Sequence, residues 1–435
     1  MMKPQNVLLA WLLKPGTLPL IFLIFALARA AVLLVPITPI SDALWYVGAA
    51  ARLSQGEGYS EGGIATAYWP PGWPIVLALI FKTFGVSILA AQLFNLACSV
   101  LAGWLTLDLG RHLFHSEAAA RLGLLLLAIY PNSIGYVPLM LTEVLYTTLL
   151  LAGCWLLIAR QSPASRVLAG VIFGFATLTK AQSLLVIPMI FGVAVLRSPM
   201  TIRHVASSVT HAITVILLAL LVVAPWSYRN YQVFGEWVFV STNGGLTLLT
   251  GNNPSARGGY SEKDPLVTGI NRSVSAQLEV DKEARRLAKE WIKENPGRFM
   301  ELIPLKTFRL WGPDGESEWS FQADHERYAA HALWFRAVRY ANQVYYISLM
   351  SGFLWAGFLL LSRKAKLTPP RFDWWLLPYT LALYPTLIAM VFSGQSRFHY
   401  PVMPFVTMTC GWLLTHWMMK QQAYGSGQGR QVIQA

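Results

Sequence analysis

The chain has 435 residues, 55% of them hydrophobic and 13% charged, with a formal net charge of +13. Soluble globular domains carry about 25% charged residues. That deficit and repeated apolar runs of about 20 residues exclude a soluble fold and select a multi-span membrane protein.

Backbone polar groups in lipid must be paired within the chain, which leaves helices or a closed barrel. The apolar runs lack period-2 alternation, so they read as helices. The basic excess forms no cluster interleaved with aromatics, so the expected partners are membrane lipids and not nucleic acid. Cys98, Cys154 and Cys410 fall inside apolar runs, spaced for neither a disulfide framework nor a metal site.

The first apolar run follows Thr17, lacks the small-residue end of a cleaved signal, and reads as a retained helix, Leu18–Pro36. Further spans are predicted at Ile88–Leu109, Leu122–Val137, Leu141–Ala159, Val167–Leu178, Leu184–Leu196, Val205–Trp226, Val344–Leu361, Trp374–Phe392 and Val402–Met419. Gly72–Phe84 is apolar but too short to cross, and reads as a re-entrant or interfacial helix. With the N-terminus inside, every short inside segment is basic: Lys3 and Lys14; Arg111 and Arg121; Arg160 and Arg166; Arg197 and Arg203; Arg363, Lys364, Lys366 and Arg371; Lys420 and Arg430. The short outside turns hold few cations, Lys180 and Arg397 among them. This asymmetry predicts cytoplasmic termini.

The first outer loop, 37–87, is too rich in acids and aromatics for a linker. It holds Asp42, Glu57 and Glu61 with Trp45, Tyr46, Tyr59, Tyr68, Trp69 and Trp73, then turns back through Pro70 and Pro71. Glu143, Lys180, Arg229, Arg397 and His399 are predicted on the same side. Ionisable groups at membrane depth are costly and mark functional candidates. Their one-sided placement points to a site at the outer surface and away from a transport pathway, which needs midplane polar groups. Arg29, inside the first span, is the exception, expected to snorkel outward or reach a lipid phosphate.

The organisation expected is a transmembrane module over 1–226 containing the outer loop, an outer-face polar segment over 227–341, helices over 342–421, and a disordered tail over 422–435. In the polar segment, VFVSTNGGLTLLTGNNPSARGG reads as short strands broken by Asn-Gly and Gly-Asn turns. Gln277–Asn295 reads as an amphipathic helix with Val280, Ala284, Leu287, Ala288 and Trp291 on one face, ended by Asn295-Pro296-Gly297. Arg298–Trp311 reads as a second helix suited to a membrane surface, carrying Lys306 and Arg309.

No Walker, Rossmann, HExxH or GxSxG motif is present. Nucleotides are scarce at an outer surface, so an enzyme there draws its activated group from the membrane. A lipid-linked phosphosugar meets that need. Its transfer requires a carboxylate to take the acceptor proton, cations for the leaving phosphate, and a groove for the lipid. Asp42 suits the first; Arg229, Arg397 and Lys180 suit the second. Tyr68, Trp69 and Trp73 offer flat faces for a sugar ring.

The order of motifs resembles the GT-C glycosyltransferase superfamily, and more closely the bacterial family 39 proteins related to protein O-mannosyltransferases and the aminoarabinose transferase of lipid A. The elements that carry it are SDALWY, YWPPGWPIVLAL, LTEVLYTTLLLAG, GFATLTKAQSLLVIP, APWSYRNYQVFG with STNGGLTLLTGNNP, WIKENPGRF and SRFHYPVMPF. The resemblance implies an all-α GT-C bundle in a bacterial inner membrane. It further implies a polyprenyl-phosphate sugar donor and inverting transfer at the periplasmic face to a lipid, glycan or protein acceptor. It carries the catalytic base onto Asp42, a second acid onto Glu143, and phosphate contacts onto Arg229 and Arg397; Lys180, Tyr68, Trp69 and Glu57 complete the expected substrate-binding set. The fold class expected is a helical bundle with a small mixed α/β outer segment. No cofactor is required by the sequence, and a divalent metal is left open. The sequence departs from the family in two places: Ser41 precedes Asp42 with no paired acid, and Trp69-Pro70-Pro71 replaces a Lys-Pro.

Each candidate has a purely structural alternative. Asp42 would cap the helix Ala43–Leu53, and Glu143 would complement a helix N-terminus. The cations would anchor spans, the aromatics would form an interfacial belt, and Glu57 and Glu61 would be solvated. The competing functions are a flippase or transporter of lipid-linked saccharides and a non-catalytic assembly partner.

Overall fold

A computed structural model describes residues 7–197, 201–270, 272–362 and 373–425. Lys3, Arg363, Lys364, Lys366, Arg371, Arg430 and the tail beyond Gly425 lie outside the described residues. The order begins α1 (Val7–Leu13), α2 (Thr17–Val32), α3 (Ser41–Ser54), a hairpin of β1 (Ser60–Glu61) and β2 (Ile64–Ala65), α4 (Gly72–Phe84), α5 (Ile88–Phe114), α6 (Glu117–Ala128), α7 (Pro131–Gly135) and α8 (Glu143–Trp155). It continues with α9 (Pro163–Thr179), α10 (Val186–Leu196), α11 (Ile202–Phe234), α12 (Gly244–Gly251), α13 (Pro265–Thr268), α14 (Gln277–Glu294) and α15 (Pro296–Trp311). Last come α16 (Ser317–Phe321), α17 (His325–Ala330), α18 (Ala332–Leu361), α19 (Leu377–Val391) and α20 (Met403–Gly425).

Among the described residues, five stretches are long and apolar enough to cross a membrane: Ile88–Phe114, Glu143–Arg160, Ile202–Phe234, Ala332–Leu361 and Trp374–Val391. The pair α1 and α2, bent by 87°, passes the same test taken together, as a broken span or a re-entrant loop. The spans predicted at Leu122–Val137, Val167–Leu178 and Leu184–Leu196 fall on shorter helices. The first of these breaks at Tyr130, because Pro131 opens a new helix at its N1 position. Gly72–Phe84 forms a 13-residue helix, as its composition predicts.

α20 runs through the middle of the bundle and packs on α6 at backbone distance. A Cβ on Gly411 would sit 2.4 Å from the Ala119 carbonyl, and one on Gly123 would sit 2.8 Å from Met408 Cα. Small residues at such crossings let helices approach where lipid offers no hydrophobic drive. A second cluster lies under the first loop, where Ala43, Tyr46 and Ala50 of α3 pack with Trp73, Leu77 and Phe81 of α4, and with Tyr136, Leu145 and Tyr400.

Four expectations are corrected. The stretch read as strands contains α12, and the described polar segment is helical; the described sheet is the hairpin inside the first loop. The glycines serve close packing: a Cβ on Gly245 would meet the Asp281 carbonyl oxygen at 1.9 Å, and Leu246, Leu248 and Leu249 bury against Ala284 and Ala288 of α14. Arg29 neither snorkels nor faces lipid. It is fully buried and donates to Ser99 Oγ, Ser133 Oγ and the carbonyls of Phe25, Leu127 and Ala128. Lys306 is likewise buried within α15, donating to Asn252 Oδ1 (2.7 Å) and to the carbonyls of Met390 and Val391. The start of the predicted tail, through Gly425, is the end of α20.

Candidate functional site

The first loop is held from two sides. Gly62 (φ +56°) and Gly63 (φ +78°) make the tight hairpin turn that only residues free of a Cβ adopt readily. The Gln277 amide from α14 bonds Thr66 Oγ1, Ala67 N and the Ala65 carbonyl. Arg229 from α11 donates to the carbonyls of Tyr59 (2.9 Å) and Thr66 (2.8 Å). Arg229 therefore ties loop to helix, and the phosphate role expected from its charge competes with that duty.

At the head of the loop, Ser41 is in the left-handed region (φ +49°), costly for a residue with a Cβ. Asp42 follows in the first turn of α3, and no side chain caps that helix. Its carboxylate is instead paired with Arg397, Oδ2 to Nη1 at 2.7 Å, with the Ser41 hydroxyl at 3.4 Å from Oδ1. Both members of the pair are about one-fifth exposed, at 18% and 23%.

A second pair stands beside it. Glu143 opens α8 with its side chain buried, and Oε1 accepts from Lys180 Nζ at 3.0 Å. Lys180 ends α9 in extended conformation, so its side chain leaves the helix axis toward α8. The Phe398 ring is close to both cations, 5.4 Å from Lys180 Nζ and 5.3 Å from Arg397 Cζ. Burial opposes the Arg397 charge, but Asp42, Glu143 and then Glu316 outweigh it and raise its pKa. Arg397 Nε is buried and has no hydrogen-bond partner among the described residues.

An aromatic wall adjoins Asp42. Tyr46, one turn along α3, meets Trp45 and Trp69 edge-on at 5.9 and 5.8 Å, and Trp69 meets Tyr68 at 5.3 Å. Burial, then the Asp42 carboxylate, push the Tyr46 hydroxyl well above its ordinary value. Burial moves Tyr68 up to about 12. Trp45 Nε1 donates to Glu61 Oε2 at 2.8 Å. Glu57 is exposed beyond the far end of α3, about 20 Å along the helix axis from Asp42.

The structure thus brings Asp42, Glu143, Lys180 and Arg397 together, with Tyr68 and Trp69 in the adjoining wall. It does not bring Glu57 there. Two residues escaped the sequence: Glu316, whose Oε2 accepts from Ser396 Oγ (2.7 Å) and Arg397 N (2.9 Å), and Phe398. The acid-rich PDGESE stretch was the available signal for the first. His399 is buried, with the Leu310 carbonyl at Nδ1 (2.6 Å) and Asp314 Oδ1 at Nε2 (3.0 Å), stacked between Trp311 and Tyr346. Among the described residues, no three His, Cys, Asp or Glu side chains converge as metal ligands. Asp42 and Glu143 each already face a cation, so the donor set does not fit a resident divalent metal.

Residues 69–228 match the family model described as dolichyl-phosphate-mannose-protein mannosyltransferase. A comparison with curated protein sequences gives no match. Among solved structures, the chain is similar to the oligosaccharyltransferase AglB of Archaeoglobus fulgidus in complex with an inhibitory peptide and a dolichol-phosphate. The TM-score is 0.55 at 13% identity, covering 95% of this chain and 52% of that one. The same archaeal enzyme tethered to an acceptor peptide gives 0.55 at 16% identity, covering 95% and 51%. ArnT of Cupriavidus metallidurans bound to undecaprenyl phosphate gives 0.47 at 13% identity, covering 94% and 79%. The chain spans about half the length of the archaeal enzyme. Part of the chain, residues 69–228, is thus similar to the mannosyltransferase family, and its fold is similar to that of the archaeal oligosaccharyltransferase.

Proposed function

We propose that this chain is an integral-membrane glycosyltransferase. It moves a sugar from a polyprenyl-phosphate-linked donor to an acceptor at the outer face of the cytoplasmic membrane. The observation that carries the reading is the meeting of two carboxylate–cation pairs, Asp42 with Arg397 and Glu143 with Lys180, both cations lying near the Phe398 ring. The matched mannosyltransferase segment supports the substrate class, as does the dolichol-phosphate in the archaeal structure of the same fold. The basic short loops support cytoplasmic termini and an outward-facing site.

The donor's phosphate binds Arg397 and Lys180, sharing the guanidinium with Asp42 and freeing that carboxylate toward the acceptor. Trp69 and Tyr68 stack beside the sugar. Asp42 takes the proton from the acceptor hydroxyl or amine as that atom attacks the anomeric carbon from the face opposite the phosphate. The bond from carbon to phosphate oxygen breaks with its electron pair on oxygen, inverting the centre. The lipid phosphate gains one negative charge, which Arg397 and Lys180 stabilise. Glu143 keeps Lys180 aimed at that oxygen and balances its charge in the unliganded chain. Residues 227–341 cover the site.

The test is mass spectrometry of envelope lipids, glycans and proteins with and without the gene. One glycosyl mass is expected to disappear and to return with the wild-type chain. Asp42→Asn, present in membranes at wild-type level, should fail to restore it, consistent with loss of about 10²- to 10⁴-fold in rate. Full restoration by that variant would remove Asp42 as the base.

A further inference from the structure

Arg397 sits on a short 3-10 helix, Ser396–Val402. Side chains three apart in such a helix eclipse one another. Ser396 and His399 form one row, Arg397 and Tyr400 the next. The second row faces the site: Arg397 meets Asp42, and Tyr400 packs 4.4 Å from Tyr136 in the cluster beneath α3. The first row faces a strap between α15 and α16.

That strap, 312–316, makes two rungs. Glu316 Oε2 accepts from Ser396 Oγ at 2.7 Å and from the Arg397 backbone N–H at 2.9 Å. Asp314 Oδ1 meets His399 Nε2 at 3.0 Å. Gly315 between them has φ +106°, a conformation side chains rarely adopt, and the turn sends both acids to the same helix. The lower rung is fixed to the bundle. Asp314 also accepts from Tyr130 Oη (2.8 Å), Asn132 Nδ2 (2.6 Å) and Asn342 Nδ2 (2.8 Å), drawing in α7 and α18. A carboxylate with that many donors is a rigid anchor.

We propose that Glu316 is the positioning residue for Arg397, with the Asp314–His399 pair as its anchor. Through it the polar segment sets where the lipid phosphate is gripped. The inference rests on the phosphate role given to Arg397 above. The glutamate reaches the backbone of Arg397, so it fixes where the guanidinium starts from while leaving the guanidinium's own N–H groups for Asp42 and the phosphate. Its nature follows from its two bonds. Both are accepted by one oxygen, which a glutamine could supply, so the positioning itself is geometric and does not need the charge.

The experiment titrates purified full-length protein in detergent with undecaprenyl phosphate, following thermal stabilisation. Glu316→Ala is expected to weaken half-saturation by about tenfold, and Glu316→Gln by less than about twofold. In an Arg397→Lys background, Glu316→Ala should add nothing further, because the planar guanidinium fork whose aim it sets is already gone. A merely structural loss would lower the melting temperature and add in both backgrounds. Unchanged affinity in Glu316→Ala, or an equal loss in the Arg397→Lys background, overturns the positioning role. Wild-type affinity in Arg397→Lys itself overturns the phosphate reading and the inference with it. If Glu316→Ala does not accumulate, Ser396→Ala removes one of the two bonds and should weaken affinity by about twofold to threefold; no change there also overturns the proposal.

Discussion

Two kinds of cation set inside the fold divide this molecule, the fully buried Arg29 and Lys306 and the partly buried Arg397 and Lys180. Arg29 and Lys306 face backbone carbonyls and neutral side chains. Arg29 spends all five N–H groups this way, two of them on Leu127 and Ala128 at the end of α6. Lys306 reaches Met390 and Val391 at the end of α19. Carbonyls at a helix C-terminus lack intrahelical partners and carry partial negative charge, so a cation there is a cap. Arg397 and Lys180 instead face carboxylates from other helices, and Arg397 keeps a buried Nε without a partner among the described residues. The first kind is saturated and has nothing left to offer a ligand. The second is paired with acids, the arrangement that the proposed phosphate grip uses. Charge alone does not distinguish them; the partner and the exposure do.

The sharpest way to break this division is to exchange readouts. Arg29→Met should cost on the order of 3 kcal/mol, because it strands several buried acceptors at once. Its signature is a lower melting temperature and reduced membrane accumulation, with surviving molecules binding undecaprenyl phosphate normally. Arg397→Lys should do the reverse. A lysine keeps the charge but loses the planar fork, so affinity for the lipid phosphate should fall by about tenfold while the melting temperature holds. If Arg29→Met lost phosphate binding at unchanged stability, the division would fail.

Lys306 gives a smaller effect with a definite sign. Burial lowers its pKa to about 8, against an ordinary value near 10.5. Between these values an exposed lysine is protonated and the buried one is not. The unfolded state then binds more protons, so stability rises with pH from about 8 to 10.5 and the charge-burial penalty is full below about 8. Thermal melts across that window should show this rise in wild type and its loss in Lys306→Met. A rise of equal size in the variant would assign it to other groups.

The sequence reading succeeds where physics is local. The α14 face follows from a 3.6-residue period, and the observed Gln277–Glu294 buries Val280, Ala284, Ala288 and Trp291 as read. It fails at α12, where Asn-Gly and Gly-Asn pairs look like turns. Gly245 and Gly251 are there because α14 and the end of α19 approach at backbone distance, which only tertiary structure reveals. The charged candidates were legible by type, since acids and bases at membrane depth are rare. Their pairing was not, because Asp42 and Arg397 lie at opposite ends of the chain. Arg229 and Arg397 look alike in sequence, yet one clamps two loop carbonyls and the other faces an acid.

The three acids of the first loop extend the same comparison to its smallest effects. Asp42 faces a cation; Glu61 holds Trp45 through one hydrogen bond; Glu57 stands exposed past the other end of α3. Glu61→Gln keeps an acceptor for the indole N–H and should change transfer by no more than about threefold, as expected for weakening one partly buried bond by a few tenths of a kcal/mol. Glu57→Gln should leave transfer and stability within error, since surface substitutions typically fall within about 0.5 kcal/mol. Transfer assays on the pair sharpen the division. If Glu57→Gln were as damaging as Asp42→Asn, the site would extend some 20 Å along α3, and partner identity would no longer separate the proposed base from its neighbours.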